Sequence, residues 1–133
     1  MPAIIYTDGG ARGNPGPAGA GAVILQDGNV LAEISEFLGT QTNNVAEYTA
    51  LVLALKKALQ LGLADVEVRM DSELIVKQMQ GEYKVKNAGL KPLFLEVVNL
   101  SKKFSSFHIS HVRREENSAA DSLANQAMDA GMK

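Results

Sequence analysis

Along residues 3 to 7, "AIIYT", apolar positions run almost unbroken, and the β-branched and aromatic content of this run predicts a strand. The two-residue period of a strand, continued, puts Ile4, Tyr6 and Asp8 on one face, with Asp8 at the end of the strand. After a glycine-rich stretch, "AGAVILQDGNVLAEISEFL" divides into two more strands at Asp27-Gly28, a two-residue hairpin signal, so the first three strands form an antiparallel meander. From Asn44 to Leu61 the period changes. Tyr48, Leu51, Val52, Leu55, Ala58 and Leu59 recur at helical spacing, and the pattern stops before Gly62. "VEVRM" at 66 to 70 predicts another strand, and Asp71-Ser72 opens a helix to about Met79. A helix over about 91 to 104, a strand over about 107 to 113 and a helix over about 118 to 130 complete the chain.

Three antiparallel strands followed by strand-helix alternation predict a mixed sheet with helices packed on it, because parallel neighbours need a helix to make the return crossing. The expected fold class is α/β, or α+β under a stricter label. No internal repeat, low-complexity tract or linker divides the 133 residues, which fit a single domain over 1–133.

Composition narrows the chemistry. The chain has no cysteine, which excludes disulfides, thiolate nucleophiles and Cys-based metal sites, so any metal falls to oxygen ligands or the two histidines. A net charge of −2 argues against gripping nucleic acid through bulk positive charge alone. Divalent ions at a carboxylate cluster would supply positive charge locally. No apolar stretch approaches the roughly 20 residues needed to span a bilayer, and "MPAIIYTDGG" resembles no signal segment; a cytoplasmic location without membrane association is expected.

Four acids each have an ordinary explanation. Asp8 suits a turn. Glu47 follows Asn44 by three residues and fits a first-turn acid behind an Asn N-cap, although it borders the apolar stripe. Asp71 stands where a strand gives way to a helix, a natural N-cap position. Asp121 completes "SAAD", a capping-box pattern with Ser118. The four also share a placement, at strand ends and first turns of helices, from which side chains converge on one edge of a sheet. Clustered carboxylates repel unless protons or cations neutralise them, and an all-oxygen cluster suits Mg²⁺ or Mn²⁺. Such a centre serves phosphodiester hydrolysis without a protein nucleophile. Ser110 and His111, adjacent in a predicted strand, point to opposite faces and make no Ser-His-Asp arrangement.

"YTDGGARGNPGPAGAGAVI", "TNNVAEYTALVLAL", "VRMDSELIVKQMQGEYKVKN" and "VRREENSAADSLAN" together resemble type 1 ribonuclease H, in order and over nearly the whole chain. The resemblance implies a five-stranded mixed sheet with three antiparallel and two parallel strands. It implies catalytic, metal-binding carboxylates at Asp8, Glu47, Asp71 and Asp121. Two Mg²⁺ ions, with Mn²⁺ as substitute, would drive endonucleolytic cleavage of the RNA strand of an RNA/DNA hybrid to 5′-phosphate and 3′-hydroxyl ends. By the same resemblance, Asp8 contacts both ions, Glu47 and Asp71 hold the one near the leaving oxygen, and Asp121 the one activating water. Gly10, Gly13 and Asn14 match a hybrid-binding loop in which few side chains obstruct a nucleic acid backbone. Thr42 matches a contact to a DNA-strand phosphate, Asn43 and Asn44 contacts to riboses or bases, and Ser72 a further substrate contact beside the third acid.

The match departs from the family in several places. Many members carry a histidine between the fifth strand and the last helix; here the connection "HVRREEN" is short, and His111 falls within the strand, with Arg114 an alternative auxiliary group. The basic protrusion of longer members is missing, and Tyr83, Lys84 and Lys86 in "GEYKVKN" stand where they would stack along the DNA strand and approach phosphates. Glu73 occupies a position where some relatives have Gln. Compact members suggest double-stranded RNA as an additional substrate, and no obligate protein partner is implied. A noncatalytic hybrid-binding module and a broader nuclease are the rival readings.

Overall fold

A computed structural model describes residues 1–133. Strands β1 (Ala3–Ala11), β2 (Gly16–Gln26) and β3 (Asn29–Gln41) form the meander. Helix α1 (Asn43–Gln60), strand β4 (Asp65–Met70), helices α2 (Glu73–Met79) and α3 (Lys91–Ser101), strand β5 (Ser106–His111) and helix α4 (Ser118–Gly131) follow, with a 3₁₀ turn at Arg114–Asn117 before α4. The five strands lie in the order β3-β2-β1-β4-β5; β1, β2 and β3 pair antiparallel, and β4 runs parallel to β1 and β5. The expected mixed α/β sheet is present. Asp27 and Gly28 turn the hairpin with φ of 53° and 79°, the double positive φ that a two-residue connection demands.

The sheet has two unlike faces. Ala3, Ile5, Ala22, Ile24, Val66 and Val68 meet Tyr48, Leu51, Leu55 and Ala58 of α1 and Val97 and Leu100 of α3 in the main core. On the other face α4 lies across β1, β2 and β3 with a buried row of Ala120, Ala124, Ala127 and Met128. No helix is long and apolar enough to cross a membrane.

Glycine explains how closely the layers approach, and it corrects the expected loop. Strand β1 runs on past Asp8, pairing Gly9 with Ala20 and Gly10 with Gly19, so only residues 12 to 15 turn. A Cβ on Gly9 would collide with the Ala46 carbonyl of α1, and one on Gly21 with the Ala120 carbonyl of α4. These glycines are therefore contact points for helices, not a passage kept clear for a ligand.

Three capping expectations are also corrected. Thr42, not Asn44, caps α1 by accepting from the Val45 amide, because its extended backbone leaves Asn43 and Asn44 inside the helix. Glu47 consequently lies beyond the first turn. Ser72 rather than Asp71 caps α2, accepting from Ile75. Residue Asn117 precedes α4 and makes no side-chain cap, so Ser118 opens the helix proper and "SAAD" is not a capping box. With caps supplied elsewhere, Asp71 and Glu47 are released from helix-end duty.

Candidate active site

The parallel register between β1 and β4 ends at Thr7 opposite Met70. Asp8 and Asp71 are the next residue on each chain, side by side where the two strands part, at the carboxyl edge that α/β sheets use for ligands. Asp8 is thus mid-strand with respect to β2 and terminal only with respect to β4, which refines the sequence expectation. The close approach at Gly9 brings α1 down onto β1, and Glu47 Oε1 accepts the Gly9 amide at 2.7 Å. Oxygens of Asp8, Glu47 and Asp71 all lie within 4.8 Å of one another. Asp121, in the first turn of α4, stands outside that triad but lines the same cleft, and, added to burial, its proximity raises the Asp8 carboxyl pKa.

The electrostatics are unfavourable by themselves. Asp8 is 8% exposed and Glu47 6% exposed, and none of the four acids takes part in an ion pair. Burial, followed by the charges of Glu47, Asp71 and Asp121, pushes the Asp8 carboxyl up to about 9. Burial raises Glu47 to about 8, against the stabilising Gly9 amide and with the Asp71 charge adding to the rise. At neutral pH the pair therefore holds a proton or needs a cation. An all-oxygen donor set that forms no ion pair within the protein fits a hard divalent ion such as Mg²⁺ or Mn²⁺.

The four acids line one open cleft of about 540 Å³, together with Gly9, Gly10, Arg12, Asn43, Ser72, Arg114 and Asn125. Its polar lining and open mouth suit an extended polar ligand better than a small apolar one.

A family model described as reverse transcriptase-like matches residues 6–127. The chain is 46% identical over 132 residues to a protein of Mycobacterium tuberculosis named as bifunctional, a match covering 98% of this chain and 36% of that one. It is 34% identical over 139 residues to the ribonuclease H of Hydrogenovibrio crunogenus, with 94% of each covered. The chain belongs to the ribonuclease H family. Within it the type 1 enzymes are the structural neighbours: the crystal structure of LC11-RNase H1, isolated from compost and solved with an RNA/DNA hybrid, matches at a TM-score of 0.94 and 51% identity over 98% of this chain and 99% of that one. The fold is accordingly the ribonuclease H fold. The chain spans about a third of the length of its mycobacterial relatives.

The remaining ribonuclease H positions named from the sequence fall into three groups. Gly10, Ser72 and Arg114 line the carboxylate cleft. Asn14, Thr42, Asn43 and Asn44 line a second groove of about 470 Å³ next to it, with Asn87 and Gly89. There the Asn43 amide donates to Asn14 Oδ1 at 3.1 Å and Asn43 Oδ1 accepts from Ala11 at 3.2 Å, which locks the β1-β2 turn to the start of α1. Gly13 serves that turn with φ of 108°. Tyr83, Lys84 and Lys86 are separate from both, on an exposed segment where Lys77 stacks over the Tyr83 ring at 5.2 Å. His111 closes β5, exposed and outside the residues lining the carboxylate cleft, as the strand reading expects.

Sequence reasoning missed Asn117. Its side chain is 1% exposed and donates to the Thr7 carbonyl at 2.8 Å and to Asp71 Oδ1 at 3.4 Å, so it joins β1 to the third acid. Only an Asn directly before a helix was visible in the sequence, and that pattern signals a cap. Arg12 and Asn125 were missed too, since their meeting depends on α4 crossing the β1-β2 turn.

Proposed function

We propose that these residues form a single ribonuclease H domain that hydrolyses the RNA strand of RNA/DNA hybrids, releasing 5′-phosphate and 3′-hydroxyl ends. The observation that carries this reading is the convergence of Asp8, Glu47 and Asp71, buried or half-buried, with none of them in an ion pair. Mg²⁺ ions, two in the full site and replaceable by Mn²⁺, supply hydroxide generation and stabilisation of the leaving oxygen when bound. Asp8, central to the other three acids, would be shared between them; Glu47 and Asp71 would hold one ion and Asp121 the other.

The chain's own residues do the rest. Gly9 fixes the Glu47 carboxylate through its amide, and Asn117 fixes Asp71, so neither acid needs reorganisation when substrate arrives. Ser72 and Gly10 border the acids and leave room for a sugar-phosphate backbone; an added Cβ on Gly10 would meet nothing nearer than Met128 Cε at 3.6 Å. The amide-rich groove of Asn14, Thr42, Asn43 and Asn44 offers neutral donors and acceptors for the second strand and for ribose 2′-hydroxyls, the groups that separate RNA from DNA. Lys84 and Lys86 would add charge near phosphates and Tyr83 a stacking surface. A neighbour's complex with a hybrid adds support for the substrate class. The setting we infer is cytoplasmic, with no obligate protein partner.

Cleavage of end-labelled RNA in a hybrid, with Mg²⁺, Mn²⁺ or EDTA, tests the proposal. Metal-dependent internal cleavage is expected. Single-stranded RNA, double-stranded RNA and duplex DNA serve as comparison substrates, and cleavage of duplex RNA would widen the substrate class. Hybrid binding without turnover would replace the enzyme by a binding module.

A further inference from the structure

Asp121 is held differently from the other acids. Asp8 and Glu47 are enclosed by packed backbone, whereas Asp121 is half-buried on a helix surface, where side-chain rotamers stay accessible. One turn further on, Asn125 Nδ2 donates to the Asp121 carbonyl at 3.0 Å and to its carboxylate Oδ2 at 3.3 Å. Asn125 Oδ1 in turn accepts from Arg12 Nη2 at 3.4 Å. The other arm of the same guanidinium, Nη1, is paired with Asp129 and faces the Met132 sulfur at 3.3 Å. Arg12 belongs to the β1-β2 turn, so one planar fork fastens that turn to two successive turns of α4.

Donor and acceptor rules leave this chain a single polarity. A guanidinium only donates, while a carboxylate and a carbonyl only accept. Asn125 is the one member with both, and Arg12 decides which end of its amide faces Asp121. We propose that Arg12 and Asn125 are a positioning relay for Asp121: Arg12 sets the amide's orientation, and the amide engages Oδ2 so that Oδ1 remains for a cation. The inference rests on the reading of Asp121 as a member of the cation site. Neither relay residue touches a reacting atom in this role. Removing an outer group that orients a ligating carboxylate costs metal affinity, commonly about tenfold or more.

Both residues also line the cleft, so the rival reading is a direct grip of Arg12 on a substrate phosphate. The two differ in what they move. Loss of a phosphate contact raises KM for the hybrid and flattens its dependence on salt, leaving the metal requirement alone.

The test titrates Mg²⁺ while following hybrid cleavage by the full chain, and separately measures Mn²⁺ binding by calorimetry without nucleic acid. Arg12→Leu and Asn125→Ala should each raise the metal midpoint in both measurements, by roughly tenfold, with kcat restored at saturating metal. The double variant should be no worse than either single, because the two act in series. Arg12→Lys keeps the charge but not the fork and should fail to restore the midpoint. Asp129→Asn, on the exposed side of the relay, should shift it in the same direction by less. Unchanged midpoints with a raised KM would overturn the relay in favour of the phosphate grip, and additive single effects would overturn it as well. Should Asn125→Ala not fold, an unchanged midpoint in Asp129→Asn overturns it alone. Failure of the wild-type chain to bind metal or cleave would count against the proposed function instead.

Discussion

The carboxylates stand in or directly beside regular elements, Asp8 in β1, Glu47 in α1, Asp71 just after β4 and Asp121 in α4, whereas Tyr83, Lys84 and Lys86 stand on residues 81 to 90, which carry neither strand nor helix and are exposed apart from Val85 and Leu90. In the cleft the fold forces like charges together and out of water, a state that only a proton or a cation makes tolerable. On the segment each lysine keeps its hydration, and placing it there costs little. The contrast separates two tasks. Under the proposed function, chemistry would need atoms at defined positions, which paired backbone supplies, whereas holding a polyanion would need positive charge only in roughly the right region, which a turn segment supplies.

The sharpest break of this comparison is Asp8→Asn. The variant should fold as well as or better than the wild chain without metal, since it removes a buried repulsion. Its turnover should fall by about 10³-fold or more, because loss of a shared ligand forfeits several kcal/mol of charge stabilisation. Near-normal cleavage by this variant would mean that the acids are not the reacting centre.

Packing gives the next largest effect. Gly21→Ala places a methyl against the Ala120 carbonyl, a backbone atom that cannot swing aside, and should destabilise the fold by about 1–3 kcal/mol. Chemical denaturation measures it. A neutral result would show that α4 can lift from the sheet, and with it Asp121.

The pH dependence of metal-free stability follows from the same cluster. The folded-state pKa values of Asp8 and Glu47 lie above those of ordinary carboxylates, so the unfolded chain releases these protons first. Where the native state holds more protons, stability falls as pH rises. Stability without divalent ions should therefore decline from about pH 4 towards pH 8 to 9, and Mg²⁺ should remove most of that slope by favouring the ionised acids. A melting temperature that rises over this range in EDTA would contradict the assignment of buried, uncompensated carboxylates.

The segment should respond weakly and differently. Lys84→Ala or Lys86→Ala should leave kcat unchanged, raise KM for the hybrid modestly and reduce the salt slope by about one unit each if the lysine meets a phosphate. His111→Ala should change turnover least, as its side chain is exposed at the end of β5 and does not line the carboxylate cleft. A loss approaching that of Asp8→Asn would bring His111 into the reacting centre.

Much of this was legible in the residue pattern because it is local. Alternation, helical period and the Asp27-Gly28 turn depend on neighbours within a few positions, and they yielded the strand and helix order and the mixed sheet. The motif order carried the family, and it singled out four acids that the structure brings into one cleft. The caps were misjudged, with Asn44 taken for Thr42 and Asp71 for Ser72, because adjacent polar residues have nearly equal capping strength and backbone entry into the helix decides between them.

What only the tertiary structure decided is of another kind. The glycines from Gly9 to Gly21 spell a loop in the sequence, yet most belong to paired strands whose missing side chains admit α1 and α4. Asn117 joins Thr7 to Asp71 across more than 100 residues of chain, and Arg12 meets α4 from near the other end of the sequence. Residue type and spacing determine which elements form. Contacts between elements depend on how closely the layers pack, and that distance is set jointly by side chains far apart in sequence.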